Sequence, residues 1–148
     1  MLASILFSSH CIAAPMLTAM TTFGGGDGWL APGDRAYLTT DNTQRGLAFN
    51  PVTGRLLMVN RAGGLSVNIL DAVTGADAGA LNVTGIGGVG SGIFPLNMIA
   101  AADDGAIYAA NLADTSTAQF RIYRWENESA APAWEGRTTT SVGRLGDT

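Results

Sequence analysis

The chain has 148 residues, 47% hydrophobic and 14% charged, with a formal net charge of −4. That length suits one ordinary domain, and the acidic balance argues against a nucleic-acid-binding surface. All eight cations are arginine, and one Cys and one His exclude a disulfide framework or a His/Cys metal cage within the chain.

The first charged side chain is Asp27. The opening MLASILFSSHCIAA, Met1–Ala14, is apolar at its start and small at its end. It reads as a signal peptide cut near Ala13 or Ala14, or as an apolar strand over Ile5–Phe7. Cleavage would remove His10 and Cys11 and leave no Cys, His or Lys in the mature chain. The expected location is secreted or periplasmic. No uninterrupted apolar run nears the roughly 20 residues needed to span a bilayer. Residues 15–36 read as a linker and lead-in, because Gly24-Gly25-Gly26-Asp27-Gly28 suggests a flexible run and Pro32-Gly33-Asp34 a turn.

From residue 37 to residue 148, turn clusters and β-branched residues recur at short spacing, which is the all-β pattern. Tyr37–Thr40 could form one strand. The next segments of strand length are Gly46–Phe49, Arg55–Asn60, Leu65–Leu70 and Gly79–Val83. Asn50-Pro51-Val52-Thr53-Gly54 and Asp71-Ala72-Val73-Thr74-Gly75 share one turn plan: an Asn or Asp that bonds the backbone ahead of it, and a Gly that accepts positive φ. The plan then repeats with strands over Leu96–Ala101, Ala106–Asn111, Phe120–Trp125 and Ala133–Gly136. Gly105 takes the place of Gly54 and Asn111 that of Asn60, a period of roughly 51 residues at the long end of propeller-blade spacing. The predicted fold is all-β: antiparallel four-stranded meanders as β-propeller-type blades, an incomplete ring of about two blades.

Arg45-Gly46-Leu47-Ala48-Phe49-Asn50-Pro51 and Thr53-Gly54-Arg55-Leu56-Leu57-Met58-Val59-Asn60-Arg61 resemble the blade repeats of secreted bacterial propellers of the NHL and YVTN type. Trp29-Leu30-Ala31-Pro32-Gly33, Ile122-Tyr123-Arg124-Trp125 and Arg144-Leu145-Gly146-Asp147 are similar to an uncharacterised family of secreted propeller-like proteins. The resemblance spans residues 27–148 and implies a truncated member of that family. It implies fold and no chemistry, so no catalytic residue is carried over.

Arg45, Asn60, Arg61 and Asn111 fall at corresponding strand ends or beside turns. They are the candidate ligand-binding residues, since propeller ligands meet loops at one end; the bland reading has the asparagines bracing turns and the arginines solvated. Asp103-Asp104 reads as a hairpin turn rather than half a cation site. Gly85–Gly92 has no Gly-Lys-Ser/Thr ending and reads as a flexible loop. Trp29, Tyr123, Trp125 and Trp134 read as packing aromatics rather than a sugar platform. Without His or Lys in the mature chain, no ordinary base activates a Ser or Thr.

The expected function is non-catalytic: a secreted binding or scaffold protein, with no cofactor or metal and no membrane span, able to self-associate through uncovered blade faces. One alternative is part of a propeller hydrolase or lactonase whose catalytic groups lie elsewhere. Another is a degenerate product with exposed blade faces.

Overall fold

In the first sheet of this protein both outer hairpin turns carry the plan written in the sequence. Asn50 Oδ1 accepts from the Val52 amide at 3.1 Å, and the Gly54 amide closes the turn on Asn50 O at 2.9 Å. Asp71 Oδ1 accepts from the Val73 and Thr74 amides at 3.0 and 2.8 Å, and from Thr74 Oγ1 at 2.8 Å. These bonds, the Thr74 hydroxyl first, hold the Asp71 carboxyl below its usual range. The computed structural model describes residues 16–18, 20–115 and 117–138. The possible leader at residues 1–14 and the resemblance at Arg144–Asp147 lie outside the described residues.

The strands are β1 (Gln44–Asn50), β2 (Arg55–Asn60), β3 (Ser66–Asp71), β4 (Asp77–Ala80), β5 (Phe94–Ala101), β6 (Ile107–Leu112), β7 (Arg121–Trp125) and β8 (Ala133–Arg137). They form two antiparallel four-stranded sheets in sequence order, β1-β2-β3-β4 and β5-β6-β7-β8. Short turns join each neighbouring pair, as a meander requires. The eight strands expected between residues 46 and 136 are present, with ends shifted by at most three residues and Arg55–Asn60 not shifted at all. Tyr37–Thr40 is not a strand; it lies in a turn and irregular segment. The Gln44 side-chain amide takes the Tyr37 carbonyl, so this backbone is satisfied by a side chain rather than a neighbouring strand.

Directly paired residues share a sheet face. Ala48, Leu57 and Ile69 are therefore on one face of the first sheet, with Val59 and Val67. Ile99, Ala109 and Tyr123 share a face of the second, with Ala101, Ile107 and Trp125. These two faces make one common core, in which Leu57, Val59, Val67, Ile107 and Trp125 are fully buried. The Trp125 indole N–H reaches past the sheet to donate to Asn82 O at 2.8 Å.

The register expected from the sequence gives this packing a direction. The sequence register that equates Gly54 with Gly105 equates Leu57 with Tyr108 and Val59 with Ala110. Tyr108 and Ala110 are on the opposite face of the second sheet from Ile107 and Ala109. The sheets thus meet through unlike faces of the repeat.

Where β1 crosses β5, Gly46 permits the approach. A Cβ there would fall 2.8 Å from the Ile99 nitrogen and 2.9 Å from Asn97 O, both backbone atoms that cannot move aside.

The lead-in covers the other face of the first sheet. Phe23, Trp29, Leu30 and Leu38 line with Leu47, Leu56, Met58 and Leu70 an open cavity of about 330 Å³. Gly24–Gly28, expected to be a flexible run, is fixed there: the Gly24 amide donates to Thr74 O at 3.0 Å, and Thr22 Oγ1 to Val73 O at 2.9 Å. Gly24 has φ +67°, and a Cβ would collide with Trp29 O. Arg35 pairs with Asp77 at 3.2 Å and donates to Gly75 O at 3.1 Å. The Tyr37 hydroxyl donates to Asp77; burial, and then this bond, raise its pKa.

Candidate functional site

The meander brings all four candidate binding residues to one end of the sheets: Arg45 near the start of β1, Asn60 and Arg61 at the end of β2, Asn111 near the end of β6. The loops at this end are 61–65, 81–93 and 113–120.

The two asparagines are committed within the protein, Asn111 to backbone alone and Asn60 to backbone and side chains. Asn111 is fully buried. Its amide donates to Ser91 O at 2.6 Å and Gln119 O at 2.8 Å, and its carbonyl accepts from the Arg121 amide at 2.8 Å. Asn60 accepts from the Ala62 amide at 3.1 Å and donates to Ser66 Oγ at 3.3 Å. Each holds the loop that leaves its strand, in corresponding places of the two sheets.

The arginines converge across the sheet junction. The Arg45 guanidinium carbon sits 4.3 Å from the ring centre of Phe94, the first residue of β5, and that of Arg61 sits 3.7 Å from it. Both side chains are half-buried. Both Nε atoms are buried and have no hydrogen-bond partner. Arg61 gives one terminal nitrogen to Asn42 O at 2.9 Å. Burial, then the Arg45 charge, lowers the pKa of Arg61, while Asp41 opposes them. Asp41 is engaged otherwise, accepting from Thr39 Oγ1 at 2.5 Å and Thr43 Oγ1 at 2.6 Å. Among the described residues, ion pairs join Arg35 to Asp77, Arg55 to Glu128 and Arg124 to Glu126; Arg45 and Arg61 join none.

Beside this pair the glycine-rich loop is pinned rather than flexible. Buried Arg121 donates to Gly87 O at 2.9 Å and Val89 O at 2.5 Å, and stacks on Trp134 at 4.9 Å. The loop borders an open cavity of about 360 Å³ with Ser91, Asp114, Thr115 and Thr117 on its wall.

The opposite end is a clamp between sheets. Glu128, in the β7–β8 turn, accepts from Asn50 Nδ2 at 2.9 Å, Thr53 Oγ1 at 2.5 Å and Arg55 at 2.7 Å. Its side chain is 7% exposed. Asp103-Asp104 forms the β5–β6 turn, with Asp104 accepting from the Ala106 amide at 3.0 Å. Trp125 and Tyr123 are core; Trp134 packs edge-on against Tyr123 at 5.5 Å, and Trp29 stays 60% exposed on the lead-in. Among the described residues, no three His, Cys, Asp or Glu side chains gather in a way that could hold a metal, and no helix is long and apolar enough to cross a membrane.

Sequence reasoning missed Phe94, Arg121 and Glu128. Phe94 follows the glycine-rich segment, ahead of the expected strand start at Leu96. Arg121 and Glu128 act on residues more than thirty positions away, and local patterns carry no signal for that.

A scan of protein-family models and a search of curated proteins each found no match. Among solved structures, the chain is similar to a DUF4623 family protein from Bacteroides eggerthii DSM 20697, with a TM-score of 0.54 and 23% identity. The likeness covers 66% of this chain and 22% of that one. It extends to the all-β fold.

Proposed function

We propose that this chain supplies two propeller-type blades to a secreted, non-catalytic binding or scaffold protein, recognising its ligand at the end that holds Arg45 and Arg61. The observation that carries this reading is the meeting of the sheets through unlike faces. Such packing is heterologous: the outer face of the second sheet is of the kind the first sheet has already used, so a further sheet can add there as blades add in a ring. Ala100, Tyr108, Ala110 and Ile122, on the open face of the second sheet, supply the apolar surface for the next sheet. The apolar opening of the sequence, residues 1–14, supports export.

Sedimentation velocity on the full chain tests the reading. Concentration-dependent assembly that Ala110→Arg abolishes while the β-type circular dichroism persists is the expected result. A wild-type chain that stays monomeric at every concentration, or assembly indifferent to Ala110→Arg, would contradict it.

A further inference from the structure

We propose that Arg45 and Arg61 form an oxyanion site at the junction of the two sheets, best matched by a carboxylate of the ligand. Folding spends burial on two like charges here and, among the described residues, gives neither an ion-paired carboxylate; Asp41 acts on Arg61 through its charge alone while its oxygens are taken by Thr39 and Thr43. Four other arginines differ. Arg35, Arg55 and Arg124 have acidic partners, and Arg121 is held by carbonyls.

Phe94 explains how the pair is held. Cation–π contact compensates part of the desolvation of each guanidinium and fixes its place, while leaving its N–H edge free. The Nε atoms are buried without a partner, the Phe94 ring holds the guanidinium groups, and the terminal nitrogens do the recognising. Arg61 keeps one terminal nitrogen beyond its bond to Asn42, and Arg45 both of its own. A carboxylate presents two coplanar acceptors to a guanidinium fork and brings the charge that two close cations lack. A mixed cavity lined by Ser91, Ile93 and Thr115 opens at the same end of the sheets.

The site deepens the recognition-end reading and rests on it for its role. Titration calorimetry of the full chain with citrate, then with inorganic phosphate and with chloride, tests it. Citrate should bind, phosphate should compete and chloride should not. Arg45→Gln and Arg61→Gln should each weaken citrate by about tenfold or more, the loss of one charge-assisted bond. Arg45→Lys keeps the charge without the fork and should also weaken it, whereas Arg124→Gln should bind as the parent does. Circular dichroism of each variant separates lost binding from lost fold. No citrate binding at millimolar concentration, equal affinity in Arg45→Gln, or equal competition by chloride would overturn the site. Those results with assembly intact leave the blade reading standing; binding intact with assembly lost does the reverse.

Discussion

On the first sheet, Leu56 and Met58 lie beneath Phe23, Trp29 and Leu38 of the lead-in. On the second, Ala100, Tyr108, Ala110 and Ile122 lie in an apolar depression of about 250 Å³ bounded only by their own strands and Phe120, among the described residues. The strands are of one kind, yet a segment covers one outer face and not the other. An apolar sheet face needs a second layer. Within this chain the first sheet receives it from residues 23–38, and the second receives none among the described residues.

Changes to the shared core should remove the comparison altogether. Trp125→Ala empties the most voluminous fully buried position between the sheets, and urea unfolding should show a loss of about 3–5 kcal/mol with both sheets lost in one transition. Gly46→Ala forces β1 away from β5. It should cost about 1–3 kcal/mol in the same assay, without changing the lead-in's grip on the β3–β4 turn.

Smaller changes sharpen it. Glu128→Gln weakens the clamp on Asn50, Thr53 and Arg55 and should cost about 1–2 kcal/mol, read as faster amide exchange in the turns at that end. Tyr37→Phe removes only the lead-in's bond to Asp77. It should cost about 0.5–1 kcal/mol by thermal unfolding and increase dye binding at the first sheet alone. Tyr37 also sets a pH dependence. Its pKa is raised on folding, so its contribution is full below the unfolded value of about 10 and is lost as pH climbs above that value. The alkaline loss of stability should be shallower in Tyr37→Phe.

Much of the fold was legible because it is written locally. The [Asn/Asp]-x-Val-Thr-Gly turns state where β1 and β3 end, and the alternation of Val67 and Ile69 with Ser66 and Asn68 states which face is inside. The lead-in was illegible because its order comes from elsewhere. Tyr37–Thr40 has the composition of a strand, but its backbone is taken by Gln44 and its phenol by Asp77. The glycine-rich loop looked free because Arg121, which holds it, follows more than thirty positions later. At the candidate site, Asn60 and Asn111 were legible as turn-bracing residues. Arg45 and Arg61 were legible as strand-end residues, but their meeting on Phe94 depends on how β5 crosses β1.

The account rests on the sheets meeting through unlike faces. Nuclear Overhauser contacts between side chains read that arrangement directly. The prediction is cross-peaks from Ile107, Tyr123 and Trp125 to Leu57, Val59 and Ile69. Cross-peaks from those three residues to Leu56, Met58 and Leu70 instead would place like faces together and contradict it.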